Sequence, residues 1–297
     1  MAGLKGIAFL IRSTGWLNPL RIVGFTLRRN WLNAPYRRAA AKQQRSPVIR
    51  PGRLVSQQAQ ANGASFHFDQ ADLQLEFLAP DLVRISWEPG GPPVPYAQAK
   101  TDWATVDTQI SQAFEGWRVS SPEIQVLVSA EGGLQFISAS GFLLRDELPP
   151  VRQGEAWTQR ARLHAEECIY GLGEQSGPLN LRGVSRKIWN TDPGGSYGPE
   201  ADPLYMPLPV YFGLHRDGSY LVFYENSFSA TASFAAPEVS DSPQASLTQA
   251  SITFEGGMLR YYFITGTPQH ALERFTELTG RAEMPPRWSL GYHQSRW

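Results

Sequence analysis

Short apolar segments that recur between tight-turn dipeptides constrain the fold of this chain most strongly. Asp72-Leu73-Gln74-Leu75-Glu76-Phe77 alternates polar and apolar residues, as a strand with one buried face does. Trp157, Gln159, Ala161 and Leu163 likewise face opposite Thr158, Arg160, Arg162 and His164. Gly132-Gly133 separates the apolar runs 124–130 and 134–138, Asp217-Gly218 separates 211–214 from 220–224, and Gly256-Gly257 separates 252–254 from 259–264. Gly-Gly and Asp-Gly accept the positive φ angles of tight hairpins, so the pattern predicts three hairpins. With 27 Gly and 23 Pro and little helical signal between the runs, residues 54–266 read as an antiparallel β-sandwich.

The period changes at Thr267-Pro268. Thr267 is a suitable N-cap, Pro268 suits the first helical position, and Ala271, Leu272, Phe275 and Leu278 fall on one helical face before Gly280. Residues 267–284 therefore read as a linker helix. After Pro285-Pro286 the run Trp288 to Tyr292 predicts a new strand, and residues 285–297 read as a unit begun and cut short.

The formal charge is zero, but it is unevenly placed. Eleven basic residues, among them Arg21, Arg28, Arg29, Arg37 and Arg38, lie in residues 1–53, and the first acidic residue is Asp69. The segment reads as a flexible basic arm able to touch anionic surfaces, attached to an acidic body. Its run GIAFLI ends at Arg12, too short for a signal core, and no stretch nears the roughly 18 apolar residues of a membrane span. Cys168 is the lone cysteine, which excludes an intrachain disulfide and a cysteine-based metal site, and fits a cytoplasmic setting.

Motifs for cofactor chemistry are weak. The run YGLGEQSG from Tyr170 has the first two glycines of a dinucleotide fingerprint, but Ser176 stands where the third belongs and no amphipathic helix follows. It reads as a tight turn. His67, His164, His215, His270 and His293 lie at no metal-motif spacing, so no metal and no cofactor are expected. Nothing marks a specific nucleic-acid contact, and there is no G-x-S-x-G. The segment from Trp189 to Tyr205 is rich in loop formers and carries Asp192, Tyr197, Glu200 and Asp202, a plausible ligand surface between strands. Aromatics make up 12% of the chain; their faces suit sugar rings as well as β-sandwich cores.

Three segments together resemble glycoside hydrolase family 31. They are YGLGEQ with Trp189-Asn190-Thr191-Asp192 and Leu204-Tyr205-Met206-Pro207-Leu208-Pro209, then FITGTPQHALERFTELTGRAEMPPRW, then SLGYHQSRW. The resemblance covers roughly residues 60–297 and implies a galactose-mutarotase-like sandwich, one helix, and the first strand of a truncated (β/α)8 barrel. Such a barrel takes on the order of 250 residues. It also implies a retaining α-glycosidase with two catalytic carboxylates on later barrel strands, about 5–5.5 Å apart. No catalytic residue is assigned in this chain, which is expected to be inactive alone and to depend on the missing barrel. Asn190-Thr191-Asp192 matches a family pattern whose Asp reaches the barrel mouth, which implies that Asp192 binds substrate, an α-linked oligosaccharide or glycoside. Two other readings compete: a stand-alone carbohydrate-binding module, favoured by the aromatic loop, and a sugar epimerase, which needs a convergent His and Glu that no motif supplies.

Overall fold

The computed structural model describes residues 17–44, 46–95, 97–193, 198, 200–235 and 248–294. Two compact units divide the chain, Met1–Pro47 and Val48–Trp297. Among its described residues the first unit carries helix α1, Leu17–Gln44. Where a flexible arm was expected, Leu, Ala, Arg, Lys and Gln, all good helix formers, carry a continuous helix. Its apolar residues are spread around the axis, and Leu20, Val23, Phe25, Leu27, Trp31 and Tyr36 are all exposed.

The second unit begins at Val48, ahead of the expected boundary at 54, because β1 (Val48–Ile49) pairs with residues 152 and 153. The strands that follow are β2 (Leu54–Gln60), β3 (Gly63–Phe68), β4 (Asp72–Ala79), β5 (Leu82–Glu88), β6 (Gln109–Ala113), β7 (Gly116–Ser120), β8 (Ile124–Ser129) and β9 (Leu134–Ser138). Then come β10 (Leu143–Gln153), β11 (Ala156–Arg162), β12 (Cys168–Gly173), β13 (Val184–Ile188), β14 (Pro207–His215), β15 (Gly218–Tyr224), β16 (Ala230–Phe234), β17 (Gln249–Phe254) and β18 (Leu259–Thr265). Helix α2 (Pro268–Thr279) and a single 3-10 turn, Arg287–Leu290, close the order.

The strands form two antiparallel sheets. The first runs β13-β16-β17-β11-β10-β9-β8-β7-β6 with β1 beside β10, and the second runs β12-β14-β15-β18-β5-β4-β3-β2. This is the β-sandwich the alternation predicts: along β4, Leu73, Leu75 and Phe77 are buried while Asp72 and Gln74 are exposed. The inner faces meet through pairs such as Phe136 of β9 and Phe263 of β18, stacked at 4.1 Å.

A charged network also joins the sheets. Register shifts beside Leu143, and Arg145 turns into the core as the bulge re-aims it. Its Nε donates to Glu147 Oε1 at 2.6 Å and its Nη1 to the Tyr220 hydroxyl at 3.2 Å. Tyr220 in turn donates to Glu167, and Tyr261 donates to Glu147. Burial pushes the Glu147 carboxyl above its ordinary value, against the pull of Arg145.

Two of the predicted hairpins form, at Gly132-Gly133 and at Asp217-Gly218, the latter with His215 opposite Gly218. The third does not. β17 pairs with β11 and β16 in the first sheet, whereas β18 pairs with β15 and β5 in the second, so Gly256-Gly257 is a crossing between sheets. Two glycines permit a sharp turn without specifying which sheet the next strand joins.

Helix α2 lies on the outer face of the second sheet, where Leu82, Leu221, Ile264, Ala271 and Leu278 form a second core. Thr267 Oγ1 accepts from His270 N at 3.3 Å as the N-cap, and Gly280 ends the helix at φ 95°. Ala271 and Leu278 are buried and Phe275 packs edge-on against Phe223, but Leu272 stands 50% exposed. Burying Leu278 stabilises the docked helix by about 1.5–3 kcal/mol. Asp81 locks the helix from the sheet, its Oδ2 accepting from Arg274 Nε at 3.0 Å and lying 2.6 Å from His270 Nε2.

The predicted last strand is absent. Residues 287–290 make the 3-10 turn, and Trp288, Leu290 and Tyr292 are exposed. A barrel strand is held by hydrogen bonds to strands on either side, and among the described residues none pairs here.

Candidate functional site

The segment after β13 leaves the first sheet at Trp189 and enters the second at β14, so it spans one end of the sandwich. Its two limbs are fastened together. Thr191 N donates to Leu204 O at 2.9 Å, Asn190 Nδ2 to Tyr205 O at 2.9 Å, and the Tyr205 hydroxyl to Asp192 Oδ1 at 2.8 Å. Asp202, expected as a loop carboxylate, spends Oδ2 on Lys187 N at 2.7 Å. Tyr197 lies outside the described residues.

The YGLGEQ run supports this loop from below. β12 pairs with β14, and a Cβ at Gly173, where φ is 77°, would lie 2.3 Å from Met206 O. One at Gly171 would lie 2.5 Å from Val210 O. The glycines serve close backbone approach within a sheet: Tyr170 to Gly173 belong to β12, where a tight turn was expected, and the run forms no phosphate cradle.

Beside the loop is a pocket of about 340 Å³, lined among others by Trp189, Asn190, Met206, Phe223, Glu225 and Phe228. Trp189 and Phe228 are each about half exposed and also border a neighbouring hollow with Lys187 and Glu255. Glu225 is buried and already engaged, its Oε1 accepting from Gln98 Nε2 at 2.6 Å and its Oε2 from the Tyr262 hydroxyl at 2.8 Å. Burial, then the charge of Glu225, pushes the Tyr262 phenol well above its ordinary value. Glu225 is the single carboxylate among the described residues lining the pocket. The pocket thus presents the aromatic faces of Trp189 and Phe228, while the Nδ2 groups of its amides Asn190 and Asn226 are held by backbone carbonyls.

Asp192 is exposed at the loop and is not among the pocket-lining residues, although its neighbours Trp189 and Asn190 are. Sequence reasoning missed Glu225, Asn226 and Phe228, which arrive from the turn after β15. Asn226 Oδ1 accepts from Phe228 N at 2.8 Å, a local turn visible as Asn-Ser-Phe, but nothing in the spacing ties it to Trp189. Two of the histidines also meet in a way their spacing hides: His164, His215 and Asp217 come together on the connection between β11 and β12 and at the β14–β15 turn.

A sandwich of two antiparallel sheets, a glycine-braced aromatic loop at its end and a capped helix on the outer face define a mutarotase-like sandwich. A sequence model of the glycosyl hydrolase 31 N-terminal galactose mutarotase-like domain matches residues 72–232. The chain belongs to that family. It is 30% identical over 247 residues to alpha-glucosidase 2 of Bacillus thermoamyloliquefaciens, covering 78% of this chain and 29% of that protein. It is 32% identical over 130 residues to an alpha-xylosidase of Emericella nidulans, covering 43% and 15%. The GH31 dextranase of Flavobacterium johnsoniae, solved with isomaltotriose, superposes with a TM-score of 0.72 at 24% identity, covering 82% of this chain and 30% of that one. The chain therefore spans under a third of these relatives.

Proposed function

We propose that this chain is the N-terminal, non-catalytic part of a retaining α-glycosidase acting on α-linked oligosaccharides in the cytoplasm. In this reading the sandwich supports a catalytic barrel and lends it the loop from Trp189 to Tyr205, while the catalytic carboxylates lie outside the chain. Asp192 hydrogen-bonds a sugar hydroxyl beyond the cleaved bond. The observation that carries the reading is the brace of Asn190, Tyr205 and Asp192, which fixes an exposed carboxylate next to an aromatic-lined pocket. Binding of isomaltotriose by the dextranase relative is consistent with the substrate class.

A charge-assisted hydrogen bond contributes roughly 1.5–3 kcal/mol, so Asp192→Ala in the full-length parent is expected to weaken disaccharide hydrolysis about ten- to a hundredfold. The stability change stays under about 1 kcal/mol, as for an exposed loop residue. Unchanged kinetics with a large fall in melting temperature would make Asp192 structural and remove it from the site. A second reading, a stand-alone carbohydrate-binding module, is favoured by the half-exposed Trp189 and Phe228. It requires the 297-residue chain itself to bind maltotriose or isomaltotriose, with Trp189→Ala abolishing the binding.

A further inference from the structure

His164 follows β11 on the connection from the first sheet to the second, His215 ends β14, and Asp217 sits in the turn before β15. In sequence the histidines are far apart. In the fold their rings stack at 3.9 Å with 11° between planes, and one ligand atom from each of the three residues lies within 4.8 Å of the others. All three are half-buried.

Two features set this cluster apart from a chance contact of surface side chains. His215 Nε2 lies 3.1 Å from the Leu144 carbonyl, which cannot donate, so Nε2 carries the proton and Nδ1 presents its lone pair. In the metal-free chain Nδ1 accepts from Asp217 N at a long 3.3 Å, a bond that a cation at Nδ1 would replace. An imidazole fixed by donating its far N–H to a backbone carbonyl is the arrangement typical of metal-ligating histidines. The His164 ring, by contrast, makes no hydrogen bond among the described residues, and its ring contact is the stack itself. Its backbone is held, with His164 N donating to Glu167 Oε2 at 2.9 Å and Arg182 Nη1 to His164 O at 2.9 Å. A ring left free on an anchored backbone can swing without disturbing the fold.

We propose that His164, His215 and Asp217 bind one divalent transition cation of the Zn2+ type, which clips the two sheets together at this end of the sandwich. Two imidazole nitrogens and a carboxylate oxygen are donors that suit zinc, with water completing the tetrahedron. Zinc bonds of about 2.0–2.1 Å place tetrahedral ligand atoms roughly 3.4 Å apart, so the ligand atoms close by little more than ~1 Å, and the His164 ring must also turn out of its stack, since parallel rings aim their lone pairs along parallel lines. Arg216 is the competing charge, its Nε 3.6 Å from Asp217 Oδ1, but its side chain is 80% exposed and yields to solvent. Glu167 is not a ligand in this scheme, because both its oxygens are occupied by Tyr220 and His164 N. The clip joins Leu144 of the first sheet, through His215, to the connection that carries His164. It is independent of the glycosidase reading.

The test is calorimetric titration of Zn2+ into the chelator-treated 297-residue chain, with melting temperature followed in parallel. About one equivalent is expected to bind and to raise the melting temperature as free Zn2+ exceeds the dissociation constant. His164→Ala and, separately, Asp217→Asn are expected to raise that constant at least about tenfold, whereas His67→Ala, in the distant pair with Asp72, leaves it unchanged. His164→Ala removes no hydrogen bond from the metal-free chain, and Asp217→Asn is nearly isosteric, so far-ultraviolet dichroism shows both variants folded. Absence of stoichiometric binding would overturn the proposal, and so would unaltered affinity in both variants.

Discussion

Arg145→Met tests what holds the two sheets in register. Arg145 and Glu147 are each 2% exposed at the side chain and 2.6 Å apart, so the pair is fully removed from water. Replacing the guanidinium by a thioether of similar length leaves the Glu147 carboxylate buried with Tyr261 as a donor, and deprives the Tyr220 hydroxyl oxygen of Arg145. Breaking a buried pair on one side costs about 3–5 kcal/mol, because an uncompensated charge stays behind. At about 2–4 °C per kcal/mol for a unit of this size, the melting temperature is expected to fall by roughly 6–20 °C. Adding Glu147→Gln to Arg145→Met removes the stranded charge while keeping an acceptor for Tyr261. The double variant is therefore expected to recover at least half of the loss, a coupling that a double-mutant cycle reads directly.

The pH dependence gives the sharper signature. Burial already raises the Glu147 carboxyl, and Arg145 is what opposes that rise. Without Arg145 the folded state binds a proton on Glu147 that the unfolded chain, with an ordinary carboxyl near ~4.3, has lost. Stability of the single variant then falls as pH rises above that ordinary value, so its deficit against the wild type is larger at neutral pH than in mild acid. Chemical denaturation of both proteins across that range measures it. A deficit that does not change with pH, or one below ~1 kcal/mol, would refute charge pairing as the reason these residues are inside.

Other expectations concern the helices. Thr267→Ala removes the cap on His270 N and is expected to cost about 1 kcal/mol, read as a small shift in the denaturation midpoint at unchanged slope. Glu277 is held below its ordinary value first by its hydrogen bond from Lys100, and further by Arg274. Its contribution is therefore present above the ordinary carboxyl range and lost as pH falls through the lowered value, and Lys100→Met is expected to flatten that acid limb in a denaturation series. The acid-free helix α1, with five arginines between Arg21 and Arg38, is expected to bring the chain to anionic vesicles at low salt. Sedimentation with vesicles reads this, and binding that persists unchanged at high salt or after deletion of residues 1–44 would contradict it.

Where physics acts along the chain, the structure follows the residues closely. Alternation at Asp72 to Phe77 and at Trp157 to Leu163 specifies which side chains enter the core, because one face of each strand is wet. Thr267, Pro268 and Gly280 delimit α2 because caps are satisfied by their own neighbours. Leu272 lies on the expected face yet stays half exposed, because what an apolar position packs against is a property of the partner surface and not of spacing along the helix. The strand expected at Trp288 illustrates the same limit, since an apolar run becomes a strand when other strands offer it hydrogen bonds.

The candidate sites lie on the far side of that limit. Trp189 and Asn190 stand out in sequence as part of a long aromatic loop, yet Phe228 joins them from a turn on another strand, and the pocket exists where the two segments cross. His164 and His215 carry no mutual spacing signal, since they meet only because β11 and β14, in two different sheets, finish at the same end of the sandwich. The Gly256-Gly257 turn shows why such meetings escape a linear reading: a local signal records that the chain reverses, and the sheet that receives it is decided by what the strand on each side can bury. β17 offers Ala250, Ile252 and Phe254 to one inner face, while β18 is buried on both faces and needs the central place between β15 and β5 under α2. The crossing between sheets follows from that demand for burial, and with it the position of Asn226, whose Nδ2 donates to Gly256 O at 2.9 Å and to Met258 O at 3.1 Å and so ties the pocket wall to the crossing.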